Sequence, residues 1–196
     1  MKVKLTLLEE MLGTKPANKK LFDDFIGKKC PDEDLRQDEL ETAEHMAEQG
    51  STIFHRNGPE GAEKIGIYDY QIKGFFKDAC KSLRSADNTL SKKLTAYKKK
   101  IDGLIFVKPR FIFVEFPGDP ESGLCERPAR VDTPQGERVT LMRSETVPAG
   151  SVMRIEIISL AKELETLIEE WLDYGALRGL GQWRNSGKGI FEWEEE

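Results

Sequence analysis

An α+β fold is what the order of patterned segments in this chain predicts, and three observations carry that expectation. Val3, Leu5 and Leu7 alternate with Lys2, Lys4 and Thr6, the period of a half-buried strand. Two later segments, one from Tyr70 and one from Ala161, set apolar residues at helical spacing. Between and after them lie three runs rich in β-branched and aromatic residues: 104–116, 138–158 and 190–193.

Taken in order, the first strand ends where Gly13 and Pro16 interrupt it. From about Asn18 to Gln49 the pattern is helical and heavily charged. Leu21, Phe22 and Phe25 mark one piece and Leu35, Leu40, Ala43 and Met46 another, with Gly27 and Pro31 between them. The stretch 50–66 holds Gly50, Gly58, Pro59, Gly61 and Gly66 and reads as a loop with a short hairpin around Thr52 to His55. The clearest helix follows. Ile72, Phe75, Phe76, Ala79, Cys80 and Leu83 form its stripe, and Lys73, Lys77 and Lys81 lie off it. A basic segment with Lys92, Lys93, Lys98, Lys99 and Lys100 precedes Gly103 and reads as a solvated helix face.

The run 104–116, broken by Pro109, is strand-like, and 117–135, rich in Pro and Gly, is expected to be an extended, protruding loop. Residues 138–143 and 152–158 are expected to pair around Val147-Pro148-Ala149-Gly150. The last helix carries Leu164, Leu167, Ile168, Trp171 and Leu172 on one stripe, and 190–193 closes the chain as a strand. With the insertion 14–65 set aside, the order is strand, helix, strand, strand, helix, strand. That is the split βαβ order of ferredoxin-like and RNA-recognition-type domains.

Length and composition agree with one domain over 1–196 that includes the insertion and the protruding loop. The chain has 196 residues, 38% hydrophobic and 33% charged. No apolar run approaches bilayer length and the start reads as a strand, so a cytoplasmic protein without membrane contact is expected. Cys30, Cys80 and Cys125 are odd in number and lack C-x-x-C spacing, which predicts reduced thiols, no metal site and no cofactor. The net charge of -5 argues against nucleic-acid binding through an overall field. Any such site has to be a local patch.

One such patch is legible. Between the last helix and the last strand runs Gly179-Leu180-Gly181-Gln182-Trp183-Arg184-Asn185-Ser186-Gly187-Lys188-Gly189. Glycine tolerates left-handed backbone and close approach, and this loop adds two cations and a flat ring, a combination suited to a phosphodiester chain. It is neither a Walker loop nor a dinucleotide fingerprint. A helix cap with a tight turn is the plainer explanation of one or two of these glycines, but four in symmetric pairs exceed what a cap needs.

Three separated pieces resemble one family. Val3-Lys4-Leu5-Thr6-Leu7-Leu8 with Gly13 is similar to the first strand and glycine of the RAMP superfamily of CRISPR-associated proteins. Tyr70-Gln71-Ile72-Lys73-Gly74-Phe75-Phe76-Lys77 resembles its first-helix motif, and the terminal loop its glycine-rich signature, with Lys188 standing where a hydrophobic residue is usual. Val147-Pro148-Ala149-Gly150-Ser151 is also like the strand start of the guide-RNA-coating backbone subunits. The match leaves 14–65 and 117–135 uncovered.

The resemblance implies an RNA-binding, noncatalytic, backbone-like subunit that grips guide RNA (crRNA) and assembles with other CRISPR effector subunits or with copies of itself. The expected RNA contacts are Lys73, Gly74, Lys77, Arg110, Gly179, Gly181, Trp183, Arg184, Gly187, Lys188 and Gly189. Two alternatives stand beside it. A virus-borne subunit mimic would inhibit an effector through protein contact, as the acidic balance suits. A repeat-RNA processing endonuclease would use His55 with Tyr68 or Tyr70 as base and partner. Of the two histidines, His45 falls in the charged helix. Asp23, Asp24, Asp32 and Asp34 occupy the region where some backbone subunits place a metal-dependent cutting aspartate, though an acidic solvated face explains them equally.

Overall fold

The alternation of Val3, Leu5 and Leu7 with polar residues builds an inner strand of a four-stranded sheet. The structure, a computed structural model, describes residues 1–17, 51–118, 122–133 and 136–196. In chain order these form β1 (Lys2–Leu7), β2 (Met11–Leu12), β3 (Lys15–Pro16), β4 (Thr52–Ile53), β5 (His55–Asn57), β6 (Lys64–Tyr68) and helix α1 (Asp69–Leu83). Then come α2 (Tyr97–Leu104), β7 (Ile105–Lys108), β8 (Phe111–Phe113), β9 (Gly123–Thr133), β10 (Gly136–Val147), β11 (Val152–Ser159), α3 (Glu165–Arg178) and β12 (Phe191–Glu195). The charged helices expected over 18–49, with Cys30, His45 and the four aspartates, lie outside the described residues.

The four-stranded sheet has the order β12-β1-β11-β7, every neighbour antiparallel. Leu5 sits opposite Met153 on one side and Trp193 on the other. One face buries Val3, Leu5, Leu7, Met153, Ile155 and Ile157 under α1 and α3. Each such side chain contributes about 1.5–3 kcal/mol relative to exposure. The stripe Ile72, Phe75, Phe76, Ala79 and Cys80 of α1 meets Leu167, Ile168, Trp171 and Leu172 of α3, with Phe76 5.5 Å from the Trp171 ring. Gly175 of α3 leaves bare backbone where the Phe191 ring lies, and a Cβ there would overlap it. The mixed α+β class is therefore as expected.

Caps set the helix ends. Gln71 Oε1 accepts the Tyr68 N–H at 2.8 Å at the start of α1, and Thr89 Oγ1 donates to the Leu83 carbonyl at 2.7 Å beyond its end. Among the described residues no helix is long and apolar enough to cross a membrane.

Two expectations fail. Within the segment expected to be an extended, protruding loop, residues 123–133 form a strand: β9 pairs with β10 along its length, Gly123 opposite Thr146 through Thr133 opposite Gly136. Pro128 fits because, among the described residues, β9 pairs with β10 alone, as an edge strand. The segment has no apolar alternation because the backbone ladder, rather than the core, holds it. Residues 138–143 accordingly pair with β9 and not with β11, which lies between β1 and β7. The turn at Val147-Pro148-Ala149-Gly150 carries the chain from one sheet to another, anchored by the Gly150 N–H on the Leu7 carbonyl at 2.7 Å.

Between residues 51 and 68 the expected loop likewise holds three short strands, β4, β5 and β6. β10 joins β2 antiparallel and β4 parallel in the order β2-β10-β4-β3, while β5, β6 and β8 form a separate three-stranded sheet. Elements this short show no readable period. Buried Glu145 ties the two sheets together, accepting from the Phe54 N–H at 2.8 Å and from Arg56 Nη2 at 2.5 Å.

Candidate nucleic-acid interface

Helix α3 ends at Gly179, whose φ of +74° turns the chain and whose N–H reaches the Gly175 carbonyl at 3.0 Å. The two G-x-G pairs then lie back to back. Leu180 N–H donates to the Gly189 carbonyl at 2.8 Å, and a Cβ on Gly189 would overlap the Leu180 carbonyl. A Cβ on Gly181 would stand 2.6 Å from the Leu12 carbonyl, so the loop is pressed onto β2. Close backbone contact within the protein thus accounts for Gly179, Gly181 and Gly189. Gly187, at φ +79°, is the one of the four with room for a Cβ, which would meet the Ile190 side chain at an ordinary 3.7 Å.

Pressing the loop onto β2 forms a cleft of about 550 Å³. Its floor is apolar, with Leu12, Phe54, Ile67 and Phe75. Its rim brings together pieces far apart in sequence: Lys15 of β3, His55 of β5, Tyr70 and Gly74 of α1, and Gly181 and Arg184 of the loop. The Gly74 position is open, with nothing near where a side chain would begin. Two of the three motifs that carried the family resemblance therefore share one surface.

The cations do not all join them. Arg184 Nη1 pairs with Asp78 Oδ2 at 2.8 Å, and Arg178 reaches the same oxygen at 3.2 Å. Lys188 pairs with Glu10 at 2.5 Å, and that hydrogen bond raises its pKa. Lys77 pairs with Asp102 at 2.5 Å. Lys73 donates to the Asp102 carbonyl at 3.3 Å and lies 5.0 Å from the centre of the Phe106 ring. Lys73 and Lys77, four residues apart, form a separate helix face turned to α2 and β7 rather than to the cleft. Arg110 lines another shallow depression with Lys2, Lys108 and Arg154. The Lys77–Asp102 pair, with Asp102 exposed, is worth about 0–1 kcal/mol, so a phosphate can compete for that cation at little cost, whereas the Arg184–Asp78 and Lys188–Glu10 pairs are half-buried.

Trp183, at φ +58° and 40% exposed, has one face covered by Arg127 of β9, whose guanidinium stands 4.4 Å from the ring centre. Arg127 Nη2 also donates to Gln182 at 3.2 Å, while its Nη1 is buried with no partner among the described residues. Arg127, Lys15, Asp78 and Glu10 are absent from the expected site. Arg127 sat in a segment read as loop, and the other three carry no motif.

His55 stands beside Tyr70, Nε2 to hydroxyl 3.5 Å, with the Tyr68 ring edge-on at 4.8 Å. Burial first and Lys15 second lower its pKa below the ordinary 6.5. The ring is neutral at physiological pH and able to accept a proton or a hydrogen bond. Burial raises the Tyr70 hydroxyl, with Tyr68 and Asp69 adding to it. Among the described residues no group of three or more His, Cys, Asp or Glu side chains is placed to hold a metal ion.

No protein-family model matches the chain, and no curated protein matches it. Solved structures do. A chain of a "Type IV-B CRISPR Complex" superposes with a TM-score of 0.51 at 12% identity, over 98% of this chain and 88% of that one. A chain of the "Cryo-EM structure of the Type III-B Cmr-beta bound to cognate target RNA" superposes with a TM-score of 0.55 at 12% identity, over 99% of this chain and 58% of that one. At this identity the likeness is one of fold: the chain is built like subunits found in CRISPR effector complexes.

Proposed function

We propose that this protein is a noncatalytic, RNA-binding, CRISPR-associated subunit of the RAMP backbone type, with a ferredoxin-like split βαβ core. The sheet order β12-β1-β11-β7, with α1 and α3 on one face, supports that core. The observation that carries the functional reading is the cleft, where the Gly74 helix start and the Gly181 to Arg184 loop meet beside an apolar floor. Likeness of fold to chains from CRISPR complexes supports it further. RNA phosphates exchange with Asp78, Glu10 and Asp102 for Arg184, Lys188 and Lys77, and Lys73 extends the path along α1. The hairpin β9–β10 reaches a neighbouring subunit or a second copy, and crRNA is the ligand.

Filter binding of a single-stranded RNA over a salt series tests this. Affinity should fall with salt, and Arg184→Ala or Lys77→Ala should each lower the log–log slope by about 0.7. Repeat RNA incubated with the protein should stay intact, and cleavage abolished by His55→Ala would overturn the noncatalytic role.

The pairing of Arg184, Lys188 and Lys77 with carboxylates favours a second reading, in which the chain occupies a subunit position through protein contact alone. Binding to an effector complex without any affinity for free RNA would establish it instead.

A further inference from the structure

The outer face of the three-stranded sheet carries a group of rings that the cleft leaves unexplained. Ile67 and Ile112 are buried on its inner face. The register sets His55 opposite Gly66, Gly66 opposite Phe113 and Tyr68 opposite Phe111, so these rings share the other face with Lys64. Tyr68 and Phe111 meet edge to face at 5.2 Å, and Phe111 and Phe113 at 5.1 Å. Gly66 is the notch that seats Phe111, since a Cβ there would overlap that ring. Tyr70 completes the group: its ring lies 5.6 Å from that of Tyr68 at 13°, nearly parallel. Both ends of the array are open, Tyr70 being 55% exposed and Phe113 42%.

We propose that this face is a stacking platform for the bases of single-stranded RNA, continuous with the cleft. Tyr70 and His55 belong to both surfaces, so a strand whose phosphates reach Arg184 passes its bases over the rings. Held parallel to Tyr68, the Tyr70 ring presents its outer face as the next rung of a stack, and every base has a π-face to match. Lys15 at the cleft rim and Lys64 on the sheet supply positive charge along the route. Burial keeps His55 neutral, so it adds a flat ring without a fixed charge. This inference rests on the RNA-binding reading above.

The test is fluorescence anisotropy of a short labelled oligouridylate with the full chain, repeated over a salt series. Tyr70→Ala and Phe113→Ala should each weaken affinity about 5- to 100-fold with an unchanged salt slope, because stacking moves no phosphate contact. Leu160→Ala, an exposed control outside the aromatic face, should bind as the wild type does. Wild-type affinity in the Tyr70→Ala/Phe113→Ala double variant, with Arg184→Ala still weakened, would overturn the platform and spare the RNA-binding reading; that result would mark the face as covered by protein. A wild-type chain that binds no RNA overturns both.

Discussion

Gly187 and Gly189 have nearly the same backbone twist, φ +79° and +72°, but different surroundings. A Cβ on Gly187 would make only an ordinary contact with the Ile190 side chain at 3.7 Å, so Gly187→Ala should cost only the left-handed penalty, about 1–2 kcal/mol. Gly189→Ala adds collision with the Leu180 carbonyl and should cost more than about 3 kcal/mol, or prevent folding. Urea unfolding of the pair checks the contrast. His55 gives a pH dependence of definite sign. Because its folded pKa lies below the ordinary 6.5, the unfolded chain takes up a proton that the folded chain refuses. This contribution to stability is complete above 6.5 and is lost as pH falls through 6.5 toward the lower folded value. The wild type should lose more urea midpoint than His55→Gln between about pH 7.5 and about pH 5.5.

At the scale of elements, Glu145 of β10 holds β4 and β5 in place through the Phe54 N–H and Arg56. Glu145→Ala strands a buried N–H and should cost about 1–3 kcal/mol, while Arg56→Ala, which removes the more exposed partner, should cost less. Chemical denaturation of both variants measures the difference. Arg127 is the hairpin's link to the glycine loop, through Trp183 and Gln182. Arg127→Ala should change Trp183 fluorescence while leaving Trp171 unaffected, since the latter is buried with its Nε1 on Ser91 Oγ at 2.8 Å. The strong helices α1 and α3 were legible in sequence because each covers several turns of one stripe. Strand β1 was legible from alternation and β12 from its β-branched and aromatic content. The hairpin was legible only in part: 138–143 read as a strand, while β9 did not, because a backbone ladder leaves no mark on composition.

Across the whole molecule, a net charge of -5 makes any RNA affinity local. If Lys73, Lys77, Arg184 and Lys188 all contact phosphate, the salt slope on single-stranded RNA should be about -3. A slope near zero would place the contact energy elsewhere. The candidate site was half legible: Gly74, Gly181 and Arg184 meet in the cleft, while Lys73 and Lys77 occupy a neighbouring face and Arg110 a separate depression.

The sequence by itself determined the α+β class, the two packed helices and the loop that must contain glycine, because each follows from local periodicity or local steric need. Tertiary structure alone decided what the loop meets. Its glycines are spaced for contact with Leu12, Leu180 and Lys188 backbone, and that contact, which depends on where β2 falls in the fold, opens the cleft at Arg184. The aromatic face of β5, β6 and β8 also exists only in three dimensions, since its rings come from segments some sixty residues apart joined by register.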